Sequence, residues 1–407
     1  MKQPLQKARE SAAWMSAIRR HLHRHPELGY QEHATAAFIE EKLTELGITR
    51  VKRMMGTGVA AWLGKAGATP TVALRADIDA LAVHEQTGLP FASASPGVMH
   101  ACGHDGHVAM LLGAARLLKD CELPGQVALL FQPAEEADGG AQGLIAEGAL
   151  EGAGMIFGGH IERLYPVGQI AVQEGIICAY TDEFRLTVTG KGGHAAKPHD
   201  SRDSIVAASA LVAQLQTLIS RETDPVAPAV ITIGTIQGGT AANAIAEETV
   251  LTGTIRSVDP ATRATLFNGL RRMAAALEGL YQVSTTVTIS NGYPPVVNDA
   301  AASRIAREAA VAVVGEAGVI PQPKPSLGGE DFSFYLEKVP GCFVRFGARK
   351  EGHEEESAHS PRFDFDEGVL AIGAAFLAQA ALTALHHLDG RTTTGRPQSE
   401  ASSPPLR

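Results

Sequence analysis

No stretch of this chain reaches the ~18 uninterrupted apolar residues that a membrane-spanning helix needs. The opening MKQPLQKARESAAWM lacks the apolar core of a secretory signal. Neither a membrane anchor nor export is indicated, and a cytoplasmic protein is expected. A basic excess is also missing: 35 Lys and Arg stand against 44 Asp and Glu, a formal net charge of -9. That balance offers no electrostatic footprint for nucleic acid or an anionic membrane, and small-molecule chemistry fits better. Cysteine is scarce, with Cys102, Cys121, Cys178 and Cys342 in 407 residues, which excludes a disulfide framework and leaves reduced thiols as the expectation.

What is present is an ordinary globular composition, 45% apolar and 19% charged, in a chain too long for one hydrophobic core. Helical periodicity over 7–25 and 33–46 is broken by His25-Pro26-Glu27-Leu28-Gly29, where proline and glycine impose a turn. TVALRAD (71–77), QVALLFQ (126–132) and MIFGGH (155–160) read as buried strands of an α/β sheet, and loops after such strands are where ligands bind. After about residue 176 the pattern changes. DEFRLTVTG (182–190), AVITIGTIQ (229–237) and TVLTGTIRS (249–257) alternate with period two, while 203–221 and 260–280 read as amphipathic helices. This predicts an inserted ferredoxin-like α+β domain over 176–294. It would interrupt a catalytic domain formed by 1–175 and 295–388, in which a central mixed sheet is flanked by helices. Helix 300–315, the glycine-rich SLGGEDF, strand CFVRFG and helix 366–388 belong to the returning part. Residues 389–407 are rich in Pro, Ser, Thr and Gly and read as a disordered tail.

Chemistry-bearing residues concentrate in four places. MHACGHDGH (Met99 to His107) sets three histidines, a cysteine and an aspartate among glycines that let backbone approach an ion. QPAEE (Gln132 to Glu136) places two carboxylates directly after a buried strand. One of them can ligate a metal while its neighbour holds the attacking water, the division of labour in metal-assisted hydrolysis. FGGH ends in His160 after another strand, and AHSP brings His359 from far downstream. Singly, each has a plain reading as a solvated or satisfied polar group. Together, Cys102, His104, Glu136, His160 and His359 form a set that a parallel sheet can gather at its carboxyl edge, enough for two ions.

The order HRHPELGYQE, LRADIDAL, MHACGHDGH, FQPAEE, VTGKGGHAAKPH, GEDFSFY and AHSPRFDFDE resembles a known superfamily over about residues 14–386. It is the metallopeptidase/amidohydrolase superfamily of aminoacylases and zinc carboxypeptidases of the G type. Within it, the subgroup resembled holds hippurate hydrolases, indole-acetyl-amino-acid hydrolases and N-acetyldiaminopimelate deacetylases. The resemblance implies hydrolysis of the amide of N-acyl-L-amino acids with two divalent ions, Mn²⁺ or Zn²⁺ by family habit, with Co²⁺ and Ni²⁺ also suited to the donors. It implies Cys102 as the bridging ligand, with His104 and Glu136 serving one side and His160 and His359 the other. Glu135 is implied as general base and Asp79 as the group orienting a ligand from behind. His194 is implied to polarise the scissile carbonyl in the partner subunit's site, which means a homodimer through the inserted lid domain. Asn243 and Arg256 are implied to grip the substrate's carboxylate.

Two stretches depart from the family pattern: Ile161-Glu162-Arg163-Leu164-Tyr165 after His160, and Ala244-Ile245-Ala246 after Asn243. They leave the substrate preference and the carboxylate grip open. A dipeptidase or carboxypeptidase with the same two-metal site is the nearest rival reading. A catalytically inert metal-binding dimer is a remote one, opposed by the presence of Glu135. A cysteine hydrolase built on Cys102 is a third, distinguished by activity that survives chelation.

Overall fold

The run TVALRAD carries no side chain that seeks water before Arg75, and all seven residues are buried in the strand Thr71–Asp77. Gln126–Gln132 is buried from its second residue onward. Continuous apolar strands of this kind belong to a sheet covered on both faces. A computed structural model of the chain describes residues 3–137, 139–353 and 356–393. It divides into two compact units: Met1–Glu174 with Asn298–Pro321 and Tyr335–Arg407, and Gly175–Val297 with Gln322–Phe334.

The first unit contains an eight-stranded mixed sheet in the order Val51–Met54, Gly58–Leu63, Gln126–Gln132, Thr71–Asp77, Ala153–Pro166, Gly341–Arg349, Ile170–Ala171, Val319–Ile320. Its four central strands run parallel. Gly58–Leu63 and Val51–Met54 add an antiparallel edge. The helix Gly368–Thr393 packs against His104–Leu118 and Ala300–Val314, and their apolar faces join the sheet in one core. By length and composition Gly368–Gly390 is apolar enough to cross a membrane, but 83% of its most apolar window is buried inside the protein, as a core helix would be. The helix also continues through Thr393, past the predicted end at 388. The rest of the expected tail, residues 394–407, lies outside the described residues.

The strand read from MIFGGH does not stop at His160. It runs from Ala153 to Pro166 because Gly341–Arg349 continues to pair alongside it, with His160 opposite Arg345 and Ile161 opposite Phe346. The departing residues 161–165 are therefore strand residues and not a loop.

The second unit builds a four-stranded antiparallel sheet in the order Ala229–Gly238, Glu248–Ser257, Tyr180–Thr189, Ser284–Ser290. With the helices Ser204–Thr217 and Pro260–Tyr281 between strands, the chain order is βαββαβ, the ferredoxin-like connection. Alternation decides its layering: Phe184, Leu186 and Val188 are buried, while Glu183 and Arg185 on either side of Phe184 are exposed. The buried side chains meet Leu211, Leu215, Leu266 and Leu270 of the two helices, at about 1.5–3 kcal/mol for each large apolar side chain removed from water. Asp203 and Asp259 cap the two helices by accepting backbone N–H bonds from Ile205 and Thr262.

Candidate metal centre

Four segments of the first unit bring the predicted donors together. Cys102 and His104 flank Gly103, whose φ of 92° turns the chain into the helix His104–Leu118. A Cβ there would meet the Ile161 side chain at 3.4 Å, an ordinary contact, so it is the turn that favours glycine. Glu135 and Glu136 follow the strand Gln126–Gln132, and His160 stands inside Ala153–Pro166. His359 sits in a loop with φ 67°, and its backbone N–H donates to the Ala101 carbonyl at 2.8 Å.

One ligand atom each from Cys102, His104 and His160 lies within 4.8 Å of the others. The same holds for Cys102, Glu136 and His359, and for His104, Glu135 and Glu136. Cys102 Sγ is 3.3 Å from His160 Nε2, and His359 Nε2 is 3.0 Å from Glu136 Oε1. Proximity thus sets His160 beside His104 and His359 beside Glu136 around a common Cys102. This differs from the pairing implied by resemblance.

The hydrogen bonds behind the donors select their tautomers. His104 Nδ1 donates to Asp79 Oδ1 at 3.2 Å, which leaves Nε2 as the nitrogen that can ligate an ion once its proton is displaced. That buried Nε2 has no hydrogen-bond partner among the described residues. His160 Nδ1 donates to the Ile161 carbonyl at 2.7 Å, and its Nε2 faces Cys102. Asp79 serves twice, because its Oδ2 accepts the Glu136 backbone N–H at 2.9 Å. An orphaned imidazole nitrogen, a buried thiol and two carboxylates at this spacing fit divalent ions of the first transition row.

The electrostatics point the same way. Burial opposes a charge on His104, yet Asp77 and Asp79 hold its pKa well above the usual value. His359 is raised to about 10 by its hydrogen bonds to Cys102 and Glu136. Burial and then Glu136 push the Cys102 thiol up. Protons therefore occupy the positions that cations would take, and an incoming ion would displace them. His160 is the exception. Burial, with His107 and Arg345, holds it well below the usual histidine value, so it stays neutral.

His107 belongs to the cluster but is not a free donor. Its Nδ1 donates to Asp77 Oδ1 at 2.5 Å, and its Nε2 accepts the Ile161 N–H at 2.9 Å. Both nitrogens are consumed, one tying the helix to the end of the strand Thr71–Asp77 and the other to the strand that carries His160. Sequence reasoning named the MHACGHDGH run but missed this role, although the i, i+3 spacing from His104 puts both rings on one helical face. Arg19 and His23 were also missed. Arg19, 1% exposed, donates to Asp105 and Glu367 at 3.1 Å each and to Asp364 at 2.6 Å, joining the segment after His104 to the one after His359.

His23 Nδ1 is 2.9 Å from Asp105 Oδ2, and its Nε2 is 3.3 Å from Glu85 Oε1. Burial disfavours its charge, but these carboxylates outweigh burial and raise it to about 9. A raised pKa stabilises the fold fully below the unfolded value near 6.5, and the contribution is lost as pH rises through about 9. It is on the order of 3 kcal/mol. Denaturant unfolding of the protein and of His23→Gln at pH 6 and pH 10 checks this. The stability gap between them should close at the higher pH, and a gap that stays constant refutes it.

The remaining predicted residues lie in the second unit. His194 is exposed on the short strand Gly193–His194, which pairs with Ala244–Ile245. Its Nδ1 accepts the Ala196 N–H at 3.0 Å, and the Asn243 carbonyl accepts the Ala195 N–H at 3.1 Å, so His194 and Asn243 are neighbours. Arg256 is half-buried on Glu248–Ser257, opposite Val230 and Thr181, and burial lowers its pKa. Gly328 to Asp331 also fall in this unit.

Residues 73–383 match the model of peptidase family M20/M25/M40. An N-acetyl-L-cysteine deacetylase of Bacillus subtilis (strain 168) is 41% identical over 366 residues, 89% of this chain and 86% of its own. Thermostable carboxypeptidase 1 of Saccharolobus solfataricus is 40% identical over 384 residues, 92% of this chain and 95% of its own. The crystal structure of a dinuclear metal-binding peptidase of the M20 family from Bacillus subtilis superposes with a TM-score of 0.81 at 35% identity, covering 93% of this chain and 99% of that one. With its ordered motifs, its fold and this full-length similarity, the chain belongs to peptidase family M20/M25/M40 and is a metal-dependent hydrolase of that family.

Proposed function

We propose that the protein hydrolyses the amide bond of N-acyl-L-amino acids, releasing a carboxylic acid and an amino acid. The observation that carries this reading is the convergence of Cys102, His104, Glu136, His160 and His359 into overlapping groups, with Glu135 in the same cluster. Similarity to an N-acetyl-L-cysteine deacetylase over 89% of the chain supports the substrate class.

The five residues would hold two divalent ions, Mn²⁺ or Zn²⁺, which supply polarisation of the scissile carbonyl and acidification of water. Glu135 takes a proton from the attacking water through its carboxylate and delivers it to the leaving nitrogen. Asp79 fixes His104 and the Glu136 backbone, so the donors need no reorganisation. Asn243 and Arg256 grip the substrate's carboxylate. His194 stabilises the developing oxyanion from the partner subunit of a homodimer. The second unit serves as lid and dimerisation domain. Its sheet has Ala229–Gly238 at the edge, where Val230 and Ile236 are 36% and 48% exposed, an edge that another chain can cover. The reduced Cys102 thiol suits a cytoplasmic location.

The same machinery serves a dipeptidase or carboxypeptidase, a reading favoured by the 40% identity to a thermostable carboxypeptidase. A panel of N-acetyl, N-benzoyl and fatty-acyl amino acids with simple dipeptides, assayed on metal-loaded and chelated protein, separates the two. Cleavage of acyl amino acids that chelation abolishes is expected. Preference for dipeptides would transfer the site to the peptidase reading, and turnover surviving chelation would overturn both.

A further inference from the structure

The segment Glu27–Glu32 of the HPELGYQE motif has no place in the chemistry above, yet it touches the two turns that carry it. The Glu27 carbonyl accepts the Ala80 N–H at 2.8 Å, immediately after Asp79. Glu32, fully buried, reaches the other turn: its Oε1 accepts the Ala134 N–H at 2.8 Å. Ala134 is the residue before Glu135, and its φ of 54° lies in the left-handed region that an alanine avoids. Gly29 packs against the same turn, where a Cβ would stand 2.8 Å from Ala137 Cβ and 3.2 Å from Ala134 Cα.

The geometry has a direct reading. The strand ends at Gln132, Pro133 has no N–H, and the chain must turn at once to send Glu135 and Glu136 in different directions. A left-handed residue makes that turn, and such conformations persist only where the surroundings enforce them. Here a buried carboxylate supplies the acceptor for the Ala134 N–H, which would otherwise be buried without one, and Gly29 supplies the space. Neither residue touches a reacting atom.

We propose that Glu32, seated by Gly29, is a positioning residue of the reaction. It holds Ala134 in the left-handed conformation and thereby aims Glu135 at the water and Glu136 at the metal. The proposal rests on the reading of Glu135 as general base and Glu136 as ligand. Errors of about 1 Å in catalytic geometry cost on the order of 10²-fold in rate.

The test compares kcat, KM, metal affinity by chelator competition, and thermal midpoint in Glu32→Ala, Glu32→Gln, Gly29→Ala and the double variant Glu32→Ala/Ala134→Gly. Glu135→Gln is run beside them. Glu32→Ala is expected to lose roughly 10²-fold in kcat with KM nearly unchanged, and to bind metal more weakly. Glu32→Gln keeps the accepting oxygen and most of the activity. Ala134→Gly should restore at least about tenfold of the loss, because glycine adopts positive φ without a Cβ to resist it. A merely structural Glu32 would lower the midpoint without that restoration. Should Glu32→Ala not fold, Gly29→Ala and Glu32→Gln carry the comparison. Folded Glu32→Ala with unaltered kcat and metal affinity overturns the proposal, as does a loss that Ala134→Gly does not repair. If Glu135→Gln remains active, the base assignment fails separately, and restoration of metal affinity by Ala134→Gly still decides for or against Glu32.

Discussion

Glu135→Gln is expected to reduce kcat by roughly 10²- to 10⁴-fold while the protein keeps its metal. The reason lies in the divergence of two adjacent carboxylates. Glu136 stands with Cys102 and His359, its Oε1 3.0 Å from His359 Nε2, and its backbone is held by Asp79. Glu135 shares a group only with His104 and Glu136 among the five donors, and it is 7% exposed. An amide at 135 conserves shape but accepts no proton, so KM should change little and the pH profile should lose its acidic limb. Glu136→Gln should show the opposite order of effects, with metal affinity falling first and turnover following. Equal loss of metal in both variants would show that the two carboxylates do not divide the work.

Cys102→Ala is expected to have the largest effect on metal binding. Its thiol is shared by the His104–His160 group and the Glu136–His359 group, so one deletion removes a donor from both. The loss should exceed the ~10–100-fold in affinity that follows from altering residues behind the ligands. Cys102→Asp should recover part of it, since a carboxylate oxygen also bridges cations, whereas Cys102→Ser should recover little. Chelator competition checks the series. Near-normal affinity in Cys102→Ala would show that the thiol is not shared between ions.

Much of this architecture was legible in the residues, and the physical reason differs by element. TVALRAD and QVALLFQ match the observed strands residue for residue, because a run buried on both faces must be apolar and ends where polarity returns. The period-two strands and capped helices of the second unit follow from one covered face. Val51–Met54 is a strand by pairing more than by pattern, since an edge strand can be polar on much of its surface, and Ser284–Ser290 alternates only between exposed and half-buried positions. The extension of Ala153–Pro166 past His160 was hidden by its own polar residues, although the strand lies inside the sheet. Glu162 and Arg163 suggest a loop, and only the neighbouring Gly341–Arg349 keeps them in the sheet.

The donors themselves were visible as residue types placed after buried strands. Their supports were not. The capture of both His107 nitrogens, the clamp made by Arg19, and the bond from Glu32 to Ala134 join residues 30 to 348 positions apart, and no local periodicity records such contacts. His194, Asn243 and Arg256 of the second unit were read from resemblance, because single polar residues on strands and turns carry no pattern of their own.

The most direct test of the two-metal site is a crystal structure of the manganese- or zinc-loaded protein, with anomalous data collected on both sides of the metal's absorption edge. The account predicts two anomalous peaks, each within bonding distance of the same Cys102 Sγ, with His104, Glu136, His160 and His359 completing their ligands and Glu135 bonded to neither. A single peak, or peaks that do not share Cys102, would contradict it.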